Sequence, residues 1–429
     1  MQHSAILRYI PFLCVLWLTA CSQQPVREAT PAPLPGIKSQ PQCDCPVAVP
    51  EPVPVPAPVK PAEEIKIPPY GLLKAASWEE MAGIEQDDLT SAWPAWLQSC
   101  SALKAKPFWQ TPCEAAAALS SASASGTPSN EVIQAYLKQY FAVYRTTNAD
   151  GSDTGLITGY YEPLLKGSRV KTGVYQYPLY GRPADLITVE LGSLYPELAN
   201  KRVRGRLTGT KLVPYYNRSE IEQQQSPLQG QELLWVDDTI DLFFLQIQGS
   251  GLVQLDNGEQ VHVGYADQNG QAYHSIGRLL IERGELSADK ASMQGIKNWA
   301  RNNPDKLRDL LNTNPSYVFF RELPPGLPGP LGALGVPILA ERVVAIDQRY
   351  VPLGAPIFLA TTYPNSSKPL NRLMMAQDTG GAIKGGVRAD FFWGAGNEAG
   401  RQAGAMKQRG RIWVLLPKDF PLPNGINRQ

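Results

Sequence analysis

The segment QDTGGAIKGGVRADFFWG, residues 377 to 394, places two carboxylates, Asp378 and Asp390, among glycines, a lysine, an arginine and three aromatics. Two acids in unequal surroundings are the raw material of proton transfer, one serving as acid and the other as base or fixed anion. Asp390 precedes Phe391, Phe392 and Trp393. Apolar neighbours strip a carboxylate of water and raise its pKa, which suits a proton donor. Asp378 precedes Thr379, Gly380 and Gly381, whose backbone N–H groups can solvate a negative charge, so Asp378 is expected to stay ionised and to orient or bind. A third aspartate, Asp347 in VVAIDQRYVPLG, also follows an apolar run, and its D-x-R setting equally fits a loop brace. The plain alternative for all three is acids capping turns.

Other chemistries are thinly supplied. Glu162, Asp237, Asp238 and Asp241 could complete a glycosidase pair of acid and nucleophile or base. A Ser/His/Asp triad would have to use His262 or His274, and QGSG at 248–251 is not a G-x-S-x-G elbow. No cysteine or histidine spacing resembles a zinc site, so no metal and no cofactor is expected. GYYEP, VYQYPLYG and VPYYN supply flat apolar faces with hydroxyls, surfaces that suit sugar rings, although core packing is the commoner fate of a tyrosine.

These residues must be positioned by mainly β structure with flanking helices. SWEEMAGIEQDDLTSAWPAWLQSC and SNEVIQAYLKQYFAVYRT have apolar residues at helical spacing; in the second, Val132, Ile133, Tyr136, Leu137, Tyr140 and Phe141 share one face behind a Ser129 or Asn130 cap. From Gly155, short apolar runs broken by Gly, Pro and Asn predict strands of a barrel or sandwich, including DLFFLQIQGSGLVQL, residues 241–255. A helical interlude at 274–314 has Ser287 and Asn303-Pro304 as starts, and strands resume from Pro315, with a Gly/Pro-rich break at 323–337.

The chain has 429 residues, with 40 Lys plus Arg against 39 Asp plus Glu. It is long enough for two cores, and no field of one sign exists to attract nucleic acid. Arg8, the apolar run Ile10 to Leu18 and the tetrapeptide Leu18-Thr19-Ala20-Cys21 read as an export signal with a lipobox, which makes Cys21 the lipidation site. Several acyl chains on one cysteine anchor stably where one chain is marginal. Ser22 in place of an aspartate points to the outer membrane. From Pro25 to Pro69 proline dominates, a composition that stays extended and acts as a tether. Cys43 and Cys45 lie within it, and Cys100 and Cys113 are close enough to close a short disulfide loop in an oxidising compartment.

From about residue 70 onward the chain resembles the MltA family of membrane-bound lytic murein transglycosylases. Five ordered blocks carry the resemblance: TGYYEP (158–163), QIQGSG (246–251), GYADQNGQAYHSIGRLLIERGEL (264–286), NPSYVFF (314–320) and AQDTGGAIKGGVRADFFWG (376–394). Asp347, Asp378 and Asp390 match the three aspartates of the family's 3D domain. The resemblance implies a double-psi β-barrel built from two chain segments, 70–163 and 323–429, with a second β-rich domain inserted at 164–322. Residues 1–20 would then be the signal peptide and 21–69 the lipidated tether.

It implies an enzyme that cuts the β-1,4 MurNAc–GlcNAc bond of peptidoglycan without water, leaving a 1,6-anhydromuramoyl end. Asp390 would be the single general acid/base and Asp378 its support. Thr158, Tyr160, Tyr161, Gln248, Gly249, Ser250, Lys384 and Asp347 would bind substrate. The partners would be peptidoglycan strands and, through Cys21, the outer membrane, on its periplasmic face. Cell-wall synthesis or division proteins are further candidate partners. Two alternatives stay open: a two-carboxylate peptidoglycan hydrolase, and a noncatalytic peptidoglycan-binding lipoprotein of the outer membrane.

Overall fold

The strand-forming runs fall into three groups along the chain. The first holds β1 (Leu73–Ala76), β2 (Phe141–Thr146) and β3 (Gly155–Glu162). The second holds β4 (Leu164–Ser168), β5 (Tyr177–Tyr180), β6 (Ile187–Val189), β7 (Val203–Thr208), β8 (Lys211–Pro214), β9 (Glu232–Val236), β10 (Ser250–Leu255), β11 (Gln260–Gln268) and β12 (Val318–Glu322). The third holds β13 (Val343–Ile346), β14 (Pro356–Thr362), β15 (Pro369–Thr379), β16 (Arg388–Ala395) and β17 (Lys407–Pro417). This computed structural model describes residues 68–195, 198 and 203–423. The expected signal peptide, Cys21, the tether up to residue 67, Cys43 and Cys45 lie outside the described residues.

The first and third groups share one sheet in the order β1-β2-β17-β14-β15-β13-β16-β3. An additional pairing of β3 with β17 closes its last six strands into a barrel. β15 inserts between β13 and β14, and β3 between β16 and β17, so β13–β15 and β16–β3 run parallel while the other barrel pairs are antiparallel. These two interlocked insertions are what the double-psi expectation requires. All four residues of β13 are buried, as expected of a strand covered on both faces. The second group makes a separate six-stranded sheet, β12-β11-β10-β4-β9-β5, and a three-stranded one, β6-β7-β8. Leu179, Leu234, Val236, Leu245, Val253 and Val263 form the six-stranded sheet's own core.

Helices α1 (Leu89–Leu103), α2 (Gln110–Ala122) and α3 (Asn130–Tyr140) pack on the barrel. The Trp93 and Trp96 side chains are fully buried there, and the Trp96 indole N–H donates to the Tyr136 hydroxyl. Ser129 caps α3 by accepting from the Val132 amide. Val132 itself is exposed and Phe141 opens β2; the apolar face expected of α3 narrows to Ile133, Tyr136 and Leu137. Cys100 and Cys113 are joined by a disulfide with Cα atoms 5.2 Å apart. The buried Arg342 guanidinium donates to both Asp87 oxygens, at 3.0 and 2.8 Å, and ties the segment before α1 to the barrel.

The remaining helices are α4 (Arg218–Ile221), α5 (Thr239–Gln248), α6 (Ile276–Glu282), α7 (Met293–Asn302), α8 (Pro304–Asn312) and α9 (Gly396–Ala405). β10 (Ser250–Leu255) keeps the second part of the strand run expected over 241–255, while α5 corrects the first part. Asp238 caps its first turn through the Ile240 and Asp241 amides, and Gly249, at φ +83°, ends it in the left-handed region. Ser287 starts no helix; Ser292 caps α7 instead. No helix among the described residues is long and apolar enough to cross a membrane.

Candidate active site

Asp390 and Asp378 reach the same level of the barrel from different strands. Ala345 of β13 pairs with Asp390 of β16 on one side and with Asp378 of β15 on the other. Asp390 in turn pairs with Thr158 of β3. Residues in matched register leave a sheet on the same face, so Thr158, Asp390, Ala345 and Asp378 form one row across four strands. Two strand spacings separate the acids' backbones, about 10 Å.

Asp390 is half-buried. Its Oδ1 accepts a 2.6 Å hydrogen bond from the Thr158 hydroxyl. Burial is the main cause that pushes its carboxyl above the usual range; the Thr158 bond and the Arg388 charge oppose the rise, and the Asp378 charge adds to it. The sequence credited three aromatics with this effect, yet alternation along β16 sends Phe391 and Trp393 to the other face, where their rings meet at a tilt with centroids 4.6 Å apart. Phe392 shares the face of Asp390 and packs on the Tyr160 ring at 5.0 Å.

Asp378 takes three donors. Oδ1 accepts from the Thr379 and Ala333 amides at 2.9 and 3.0 Å, and Oδ2 from the Tyr160 hydroxyl at 2.9 Å. Backbone amides do reach it, as expected, but one comes from the 323–337 break and not from the two glycines. Burial outweighs these donors and raises its pKa above the usual carboxylate value, so the amides solvate Asp378 without depressing its carboxyl. Burial and the Asp378 charge likewise push the Tyr160 hydroxyl up.

The second sheet meets the barrel beside this row. Gln248, at the end of α5, accepts a 3.0 Å hydrogen bond from the Tyr161 amide through Oε1. Gly249 and Ser250 continue from it into β10, Ser250 buried. The Tyr161 ring lies on α9, where a Cβ at Gly400 would come within 2.8 Å of it. Glu162, offered as a second glycosidase acid, is buried and bound to His262 at 2.6 Å. Asp238 is spent on capping α5, and Asp241 pairs with Lys297 at 2.5 Å.

Two expected substrate contacts stand apart from the row. The oxygens of Asp347 accept from the Arg349 guanidinium and, at 2.9 Å, from the Gly385 amide. Although burial works against it, these donors hold the carboxyl below its usual range. Gly385 sits at φ +114°, a conformation that favours glycine. Asp347 therefore braces the loop between the two acids. Lys384 is exposed on that same loop. Sequence reasoning missed Arg388, two residues before Asp390, and the Ala333 amide; the i, i+2 spacing of Arg388 and Asp390 on a strand was the available signal for the first. Among the described residues no group of three His, Cys, Asp or Glu side chains is placed to hold a metal.

The site is thus a row of two acids carried by a closed barrel, with a second sheet set against its edge. The family model described as the 3D domain matches residues 342–416, and the one described as the MltA specific insert domain matches 156–321. The chain is 33% identical over 280 residues to "Membrane-bound lytic murein transglycosylase A" of Escherichia coli (strain K12), covering 63% of this chain and 68% of the relative. It superposes on the crystal structure of MltA from Neisseria gonorrhoeae with a TM-score of 0.70 at 38% identity, over 81% of this chain and 93% of that one. E. coli MltA with bound chitohexaose matches with a TM-score of 0.58 at 25% identity, over 84% and 99%. The chain belongs to the membrane-bound lytic murein transglycosylase A family.

Proposed function

We propose that this chain cleaves the β-1,4 bond between N-acetylmuramic acid and N-acetylglucosamine in peptidoglycan, without water, with Asp390 as the single acid/base. The observation that carries the reading is Asp390 itself, half-buried, held on one oxygen by Thr158 and raised toward the protonated form. Protonated Asp390 donates to the departing glycosidic oxygen. As a carboxylate it then takes the proton of the muramoyl 6-hydroxyl, whose oxygen bonds to its own anomeric carbon. The nucleophile is already part of the substrate, so proximity supplies what a positioned water would otherwise need. Asp378, oriented by Tyr160, Thr379 and Ala333, stabilises the oxocarbenium-like state.

The relative with bound chitohexaose supports a glycan as ligand, and we place the glycan groove beside the row. In this reading Tyr161, Gln248, Gly249 and Ser250 line it, and Lys384 contacts substrate at its edge. Sheet membership supports a barrel of 70–163 and 323–429 interrupted by an inserted domain at 164–322. The curated relatives are named as membrane-bound; together with the lipobox, this supports anchoring through Cys21 on the periplasmic face of the outer membrane.

A second reading makes Asp378 the base of a hydrolase, because it shares the row with Asp390. Mass spectrometry of digested peptidoglycan separates the two. Anhydromuramoyl ends are expected, and reducing muramic acid alone would establish the hydrolase. Asp390→Asn is expected to bind glycan and to lose turnover by about 10²-fold or more; undiminished turnover would remove Asp390 from the chemistry.

A further inference from the structure

We infer that Arg388 is a positioning residue which, acting through Thr158, fixes the acid proton of Asp390 on Oδ2. The inference rests on the reading of Asp390 as the acid/base. Arg388 Nη2 donates to Thr158 Oγ1 at 2.9 Å, and Thr158 Oγ1 donates to Asp390 Oδ1 at 2.6 Å. Arg388 Nη1 is held by the carbonyls of Ala389 at 2.6 Å and Leu156 at 3.3 Å. The guanidinium is thereby locked to the two strands that carry Thr158 and Asp390.

A guanidinium has donors and no acceptor, and it keeps its charge at neutral pH. The Thr158 oxygen therefore receives from Arg388, and its single proton goes to Asp390. Were the acid proton on Oδ1, two donors would converge on Thr158 and its own proton would lose its partner. With the proton on Oδ2, Arg388 and Thr158 each keep an acceptor, and the Oδ2 proton is left for the substrate. Oδ2 is then the oxygen that protonates the glycosidic oxygen as the C1–O bond breaks, and that later receives the 6-hydroxyl proton as the new C1–O bond forms.

The carboxylate whose charge bears on Arg388 is that of Asp390, and a half-buried guanidinium is retained at a cost unless such a charge offsets it. The groups that face Asp390 are Thr158 and Tyr160 of β3, Arg388 of β16 and Asp378 of β15. Arg388 is the cation among them, and it favours the carboxylate form needed in the second half of the reaction.

The test compares Thr158→Val, Thr158→Ser, Arg388→Met and Arg388→Lys on purified peptidoglycan, with kcat, KM and the pH profile of each. Thr158→Val keeps the side-chain shape and removes the hydroxyl. It is expected to lower kcat about 10- to 100-fold with KM little changed, and Thr158→Ser to restore it. Arg388→Met is expected to lower kcat and to move the basic limb of the profile to higher pH, whereas Arg388→Lys keeps that limb in place. Should Arg388→Met fail to fold, the two Thr158 variants decide alone. Unchanged kcat and pH profile in Thr158→Val, with Asp390→Asn inactive, would overturn the relay and leave the acid/base reading standing. Turnover in Asp390→Asn would defeat that reading itself.

Discussion

Asp378 and Asp390 lie two strands apart at one level of the barrel, each the register partner of Ala345. The space between the two carboxylates is therefore set by a single methyl group. Ala345 is 4% exposed, so little room exists for a larger side chain to turn away.

Ala345→Leu should occupy the gap between the acids. Overpacking is expected to cost about 1–3 kcal/mol of stability, and turnover should fall far more than that loss explains, because glycan could no longer reach both carboxylates. Thermal unfolding and anhydro-product release measured together check this. A leucine variant with full turnover would show that substrate does not enter between Asp378 and Asp390.

The raised carboxyl of Asp390 has a stability consequence with a definite sign. A folded-state pKa above the unfolded value means the native fold prefers the protonated form. That stability is fully present below the unfolded value, near 4, and is lost as pH rises through the folded value. Asp390→Asn, neutral throughout, should melt at a higher temperature than the parent at pH 7, with the gain shrinking toward zero below about pH 4. A melting difference that ignores pH would contradict the raised value.

Asp347 should behave oppositely. Its folded pKa is depressed by Arg349 and Gly385, so its stabilisation is present above the unfolded value and lost as pH falls through the folded one. Asp347→Asn is expected to cost about 1 kcal/mol at pH 7, a modest figure because Arg349 is half-exposed and screened. The same melting series, run into acid, should show the two proteins converge. Divergence on acidification would mean that Asp347 is not held as an anion.

The Arg342–Asp87 pair is buried on both sides, with side chains 6% and 5% exposed. Arg342→Met leaves Asp87 charged and unpaired, a loss expected to reach about 3–5 kcal/mol. Adding Asp87→Leu should recover a large part of it. If the double variant melts no higher than the single one, the penalty comes from packing and not from an orphaned charge.

Much of this site could be read from local sequence. The three aspartates, the aromatic blocks and the strand-and-turn rhythm after Gly155 all depend on neighbours a few residues apart. Most of what escaped depends on distant partners, and the one exception is a pair of local signals that flank a helix. The run at 241–248 is apolar enough for a strand, and its helical state is decided by the Asp238 cap and the Gly249 stop. The surroundings of Asp390 come from Thr158 and Tyr160, more than 200 positions away, since strand alternation turns two of its three aromatic neighbours aside. Asp378 draws a donor from Ala333, in a Gly/Pro-rich break whose sequence marks only an interruption between strands.

The closure of β3 against β16 and β17 has a consequence for biogenesis. Thr158 must wait through 232 residues of synthesis for Asp390, and β3 can enter no barrel until the last strands emerge. The second sheet has all its partners between Leu164 and Glu322, and contacts close in sequence form first. A truncated chain that ends before β16 can thus pair every strand of that sheet while Thr158 still lacks Asp390.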